Sequence, residues 1–153
     1  RQGFEDWAAK MVGLINDEDS LLACRKEFML GPWIEDARKW GVTAEEKDLY
    51  EFNARALLTV WSFEDSSLRD YACREWSGLL TDFYLPRWER FIGHLRDQLN
   101  GRPASKPDYY VEIEKPWTEK KNKFPVAASG DAVQTAQKMY DKYKGLIAAS
   151  AAE

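Results

Sequence analysis

The sequence predicts an all-α domain, an antiparallel helical bundle of five to seven helices. Three observations point to it. Apolar residues recur in steps of three and four along most of the chain, the spacing that lines one face of a helix. No stretch alternates with period two for more than a few residues, and the Asn100-Gly101 pair closes a helical stretch instead of joining two strands. Helix start and stop signals recur at intervals that leave short connections, as antiparallel neighbours require.

In order along the chain, Phe4, Trp7, Met11, Leu14, Ile15, Leu21 and Leu22 make one stripe, predicting a helix over 4–24. The acidic run Asp17, Glu18, Asp19 interrupts it and predicts a pause or an exposed turn. Gly31-Pro32 marks a stop and a start, since proline suits a first helical turn, where no N–H partner is needed. The short helix that follows places Trp33, Ile34, Ala37 and Trp40 on one face and ends at Gly41, read as a left-handed cap. Thr43 and Glu46 have the spacing of a capping box, in which each side chain serves the other's free backbone donor. The helix they open is expected to run to about Trp61. Its second half is apolar nearly all round, apart from the narrow polar stripe Glu51, Arg55, Thr59, which predicts the centre of the fold.

Residues 62–67 read as a polar loop, with Ser66 or Ser67 able to cap the next helix. That helix is expected over about 68–83, burying Leu68, Tyr71, Ala72, Trp76, Leu79, Leu80 and Phe83. Pro86 should kink or end it near Tyr84. It restarts with Trp88, Phe91, Ile92, Leu95 and Leu99 on one face, and Asn100-Gly101 closes it. Residues 102–107 form a connector. Pro116 divides the next segment into two short helical pieces, in which Glu119-Lys120-Lys121-Asn122-Lys123 reads as a solvated helix face. Asp131 starts the last helix, with Val133, Ala136, Tyr140, Tyr143 and Ile147 on one face, and the tail after it is expected to fray.

A chain of 153 residues makes a single domain, 1–153, large enough for one core. Hydrophobic residues at 44% and charged residues at 31% are globular proportions. A net charge of −4, with no basic stripe, gives no electrostatic footprint for nucleic acid. No apolar run reaches the roughly 18 residues of a membrane span. Cys24 and Cys73 are too few for a disulfide scaffold. A single bridge stays open, but two buried free thiols are the reading taken. The chain begins inside what already reads as a helix, which gives the expectation of a piece cut from a longer polypeptide.

Chemistry-bearing residues are sparse. His94 is the single histidine and sits on a regular helix with no Cys or carboxylate at ligand spacing, so no metal site is expected. No Gly-rich phosphate loop and no nucleophile-elbow motif occurs, so no cofactor is expected. Glycoside hydrolysis needs two carboxylates, about 5–5.5 Å apart in retaining enzymes. The acidic pairs here, such as Glu45-Glu46, lie at helix starts or in polar turns, where the helix dipole explains them. The stretch Asn53–Trp88 remains, with three of the seven Trp. There Asn53 and Arg55 lie among apolar neighbours, Trp61 ends the central helix, and Asp70 and Tyr71 follow. These polar groups either satisfy one another or form the wall of a sugar-binding cleft, with Trp61 flat against a pyranose face and Asn53 and Arg55 bonding hydroxyls.

LLACRKEFMLGPWIEDAR, NARALLTVW and LRDYACREWSGLLTDFYLPRWERF together resemble the C-terminal all-helical domain of the α-N-acetylglucosaminidases, from about Leu14 to Tyr143. The most specific parts are Asp70 to Leu79, Tyr84 to Trp88, and Leu30 to Trp33. Cys73 departs from the polar residue expected there. The resemblance implies a modular glycoside hydrolase acting on terminal α-linked N-acetylglucosamine, secreted, periplasmic or lysosomal. Its catalytic residues, two glutamates of a retaining mechanism, would lie on a (β/α)8 barrel of the same polypeptide. No catalytic residue is therefore expected in this fragment, since such a barrel needs roughly 200 residues or more. The resemblance makes Trp61 the first candidate for the substrate pocket, with Asn53, Arg55 and Tyr71 behind it. The other expectation is an independent helical carbohydrate-binding or protein-interaction module.

Overall fold

The computed structural model describes residues 2–61 and 68–150, and the following statements concern those residues. Six α-helices are present: α1 Gln2–Leu22, α2 Leu30–Lys39, α3 Ala44–Leu58, α4 Leu85–Leu99, α5 Lys115–Thr118 and α6 Ala132–Ser150. A 3-10 turn, Lys26–Phe28, follows α1, and π-helical turns at Leu80–Tyr84 and Tyr110–Glu114 lead into α4 and α5. Among the described residues there is no strand, only one isolated parallel bridge between Met29 and Ser77. The all-α expectation holds. The polar loop 62–67, the Ser66/Ser67 cap and the Ile147 side chain lie outside what is described.

Helices α2 and α3 form the tightest pair. Leu30 and Ile34 of α2 meet Ala54 and Leu58 of α3, and Leu79, Phe83 and Trp117 close this core from the far side. Trp117 is fully buried because α5 drives it in edge-on to Phe83, 5.1 Å between centroids, and its indole N–H reaches Asp82 at 2.7 Å. Helix α1 packs against α4 and the π turn before it, with Arg96 of α4 donating to Glu5, and also against α6.

The capping box is present in full: the Glu46 amide donates to Thr43 Oγ1 at 3.2 Å, and Glu46 Oε2 accepts from the Thr43 amide at 3.1 Å. Gly41, however, is not left-handed. A Cβ there would lie 2.5 Å from the Lys47 amide nitrogen, so glycine is required by the close pass of the α3 N-terminus. Gly31 answers a similar need, for its missing Cβ would sit 1.9 Å from the Pro125 carbonyl oxygen.

Five further expectations change. The run Asp17-Glu18-Asp19 does not break α1, because its outer members are tied to other segments. Asp17 accepts from the Tyr143 hydroxyl at 2.6 Å and from Lys142. Asp19 accepts from the Gly78 amide at 2.7 Å and from the Ser77 and Thr81 hydroxyls, both at 3.1 Å, so it caps the helical segment that begins at Leu79 from outside. The helix expected over 68–83 starts only there. Asp70 and Cys73 take φ of 58° and 47°, left-handed values that a helix does not accommodate, and residues 68–76 form turns and extended chain. Pro86 does not end this segment: the π turn before it lets the Leu85 amide reach the Leu80 carbonyl, while Pro86 itself sits in the first turn of α4. The Lys120–Lys123 run is extended chain, not a helix face. Lys121 pairs with Asp48, and Asn122 turns toward Arg55. Neither cysteine is buried: Cys73 is exposed, Cys24 is half-buried, and both are free thiols.

Candidate functional site at the end of helix α3

Helix α3 presents two chemically different faces. Glu51, Ala54, Arg55 and Leu58 point inward and are buried. On the outward side, Leu49, Tyr50, Phe52 and Leu57 are all exposed and flank Asn53, which is exposed too. The stripe read as the helix's polar side therefore lies on its interior side beside Ala54 and Leu58, and a second apolar face points away from the core.

Arg55 is 0% exposed. Its Nε and Nη2 donate to Glu51 Oε1 at 3.0 and 2.7 Å, and Nη2 also donates to the Asn122 carbonyl at 2.9 Å. The guanidinium lies 4.9 Å from the Trp117 ring centroid and 5.3 Å from that of Phe124. Glu51 takes a second cation, Arg38, at 2.6 Å. Thr59 returns its hydroxyl to the Arg55 carbonyl at 2.9 Å. Of the four residues singled out from the sequence, Arg55 thus lies on the opposite side of α3 from the other three and has no surface in this chain.

Those three come together. Helix α3 ends at Leu58, short of the expected Trp61, because Thr59 leaves helical geometry at φ −125°, ψ −87°. Two residues on, Trp61 adopts φ 62° and its amide donates to the Ala56 carbonyl at 2.7 Å. A left-handed tryptophan is an uncommon backbone state that its surroundings must hold in place. It turns the indole outward, 37% exposed, onto the edge of Tyr71 at 5.3 Å, and Tyr71 is itself 68% exposed. Asn53 and Trp61 line one open cleft of about 440 Å³, whose other wall is Tyr110, Lys115, Thr118 and Glu119. The sequence reading missed that second wall. Its signal was Pro116-Trp117: a proline in a first helical turn beside a large aromatic anchors α5 and so aims its neighbours.

Behind the cleft lies a group of charges. Arg87 Nη1 donates to both carboxylate oxygens of Asp70, at 2.9 and 2.8 Å. Arg87 Nε is 3.4 Å from Glu114, and Arg69 is 3.6 Å from the other oxygen of that carboxylate. Burial pushes the Glu114 carboxyl above the usual carboxylate range, against the pull of Arg87 and Arg69. Burial, reinforced by Asp70, pushes the neighbouring Tyr84 phenol up to about 12. Among the described residues no group of acids, histidines or cysteines is arranged to hold a metal ion.

The site is thus an exposed aromatic pair and an amide beside an open cleft on an all-α scaffold, with charged groups close by. The model of the family alpha-N-acetylglucosaminidase (NAGLU) C-terminal domain matches residues 1–142, and the chain belongs to that family. It is 36% identical to human alpha-N-acetylglucosaminidase over 129 residues, which cover 82% of this chain and 17% of the human protein. The family 89 glycoside hydrolase from Clostridium perfringens, solved in complex with 2-acetamido-1,2-dideoxynojirmycin, superimposes with a TM-score of 0.85 at 36% identity, over 93% of this chain and 17% of that one. A variant of the Clostridium perfringens enzyme, solved with its substrate GlcNAc-alpha-1,4-galactose, gives 0.80 at 37% identity, over 88% and 16%. The chain thus spans about a sixth of the length of these relatives.

Proposed function

We propose that this chain is the accessory C-terminal helical domain of an α-N-acetylglucosaminidase. In this reading it packs on a catalytic (β/α)8 barrel of the same polypeptide and helps to wall the pocket for a terminal α-linked N-acetylglucosamine. The observation that carries the proposal is the outward face of α3. Leu49, Tyr50, Phe52 and Leu57 stay in water here, and Trp61 stands at the end of the same helix. Scattered exposed apolar residues need no explanation, but a contiguous aromatic-rich helix face marks an interaction site. The length of the relatives supports the same reading, since most of each lies outside the matched portion.

Each group has a distinct task. The Trp61 indole offers a flat apolar surface to the C–H face of the sugar, with Tyr71 bracing it edge-on. Asn53 supplies an amide donor and acceptor beside it. Arg55 stays behind this surface and fixes α3 from the inside. Proton transfer and nucleophilic attack fall to the remainder of the polypeptide, so the fragment alone does not hydrolyse. Trp61→Ala in the full-length enzyme tests the reading. It should lower kcat/KM at least about tenfold, as removal of a positioning surface does, while Tm moves little. A loss of folding without a separate kinetic effect would return Trp61 to a purely structural role.

A further inference from the structure

We infer that Arg87 and Asp70 are positioning residues for Trp61, an inference that rests on the pocket-wall reading above. The sequence blocks Asp70 to Leu79 and Tyr84 to Trp88 lie apart along the chain, and neither faces the cleft as a block. The Asp70–Arg87 pair joins them. Arg87 Nη1 alone reaches both Asp70 oxygens, while Nε of the same rigid guanidinium faces Glu114, so one planar group ties Asp70 to the enclosed Glu114. Arg87 is itself held, 5.4 Å from the Phe83 ring centroid, 5.7 Å from that of Tyr84, and 3.4 Å from the enclosed Glu114.

Asp70 passes that constraint on by two routes. Its amide donates to the Thr59 carbonyl at 2.8 Å, fixing the chain two residues before Trp61. Its neighbour Tyr71 carries the ring on which the Trp61 indole rests. Both Asp70 and Trp61 have positive φ, at 58° and 62°. A non-glycine residue keeps such a backbone only where surrounding contacts over-determine it, and these states cluster at binding sites. Arg87 and Asp70 are 25% and 31% exposed, so water partly screens the pair, and its geometric effect on the backbone that presents Trp61 is what a kinetic test reads.

A double-mutant cycle in the full-length enzyme, with a chromogenic α-N-acetylglucosaminide as substrate, tests this. Arg87→Lys keeps the charge but replaces the planar group that turns Nη1 to Asp70 and Nε to Glu114 with a single ammonium. Alone, it should lower kcat/KM roughly tenfold, mainly by raising KM. In a Trp61→Ala background the same change should have almost no further effect, because the surface it positions is gone. Asp70→Asn, which keeps shape and removes charge, gives the same cycle if Arg87→Lys does not fold. Equal losses in both backgrounds, or no kinetic change from either variant, would overturn the inference while leaving Trp61 in the pocket. If Trp61→Ala is itself kinetically silent, the pocket-wall reading fails first and the inference goes with it.

Discussion

Arg55 shows what single residues disclose and what they conceal. Placed at i+4 from Glu51 and i−4 from Thr59, it reads as part of one narrow polar stripe and, through the resemblance, as a candidate for the pocket. The structure turns it inward, between two aromatic rings, with its charge met by Glu51. The helical spacing was legible. The direction was not, since periodicity says which residues share a face but not which face is the core. A buried pair of this kind is costly to break, because the surviving carboxylate loses its one fully buried cation in a low-dielectric setting. Arg55→Met should therefore destabilise the chain by about 3–5 kcal/mol, read from the urea midpoint at constant slope. A change under about 1 kcal/mol would mean that Arg38 alone satisfies Glu51.

At the scale of elements, the sequence reading succeeded where local chemistry decides. The Thr43/Glu46 box, the close of α4 at Asn100-Gly101 and the start of α6 at Asp131 all follow from caps that need no distant partner. It failed over 68–76, where apolar spacing suggested a helix. That segment is held instead by contacts remote in sequence: Arg87 on Asp70, Thr59 on the Asp70 amide, and Phe28 and Leu30 bonded to Ser77. Asp19 reaching across to cap Gly78 belongs to the same class. Where a cap is local its contribution is separable, so Thr43→Ala should cost about 1 kcal/mol. In a chain of this length that is a fall in Tm of about 2–4 °C. A fall several times larger would show that α3 depends on its cap more than on its packing.

At the scale of the whole molecule, α3 meets two demands at once. It must build the core of this chain through Ala54 and Leu58, and it carries a second apolar face on Leu49, Tyr50, Phe52 and Leu57 that this chain leaves open. That is why its second half is apolar nearly all round in sequence, and why burial on most sides was the natural expectation for it alone. On the proposed reading another part of the polypeptide covers that face, in keeping with relatives of which this chain matches only about a sixth. Of the four candidate residues, Asn53 and Trp61 line one cleft, Tyr71 meets Trp61, and Arg55 is buried apart from them. Trp61, Asn53 and Tyr71 converge, while Tyr110 and Lys115 on the facing wall arrive through α5 and its preceding π turn, which leave only a weak pattern in sequence.

The claim that this face belongs against another part of the same polypeptide is tested most directly by hydroxyl-radical footprinting of the isolated chain and of the full-length enzyme. Tyr50, Phe52, Leu57 and Trp61 should label readily in the isolated chain and at least several-fold more slowly in the full-length protein, while Trp40 and Val133, exposed on other elements, should label at about the same rate in both. Equal labelling of the α3 face in the two proteins would contradict the account.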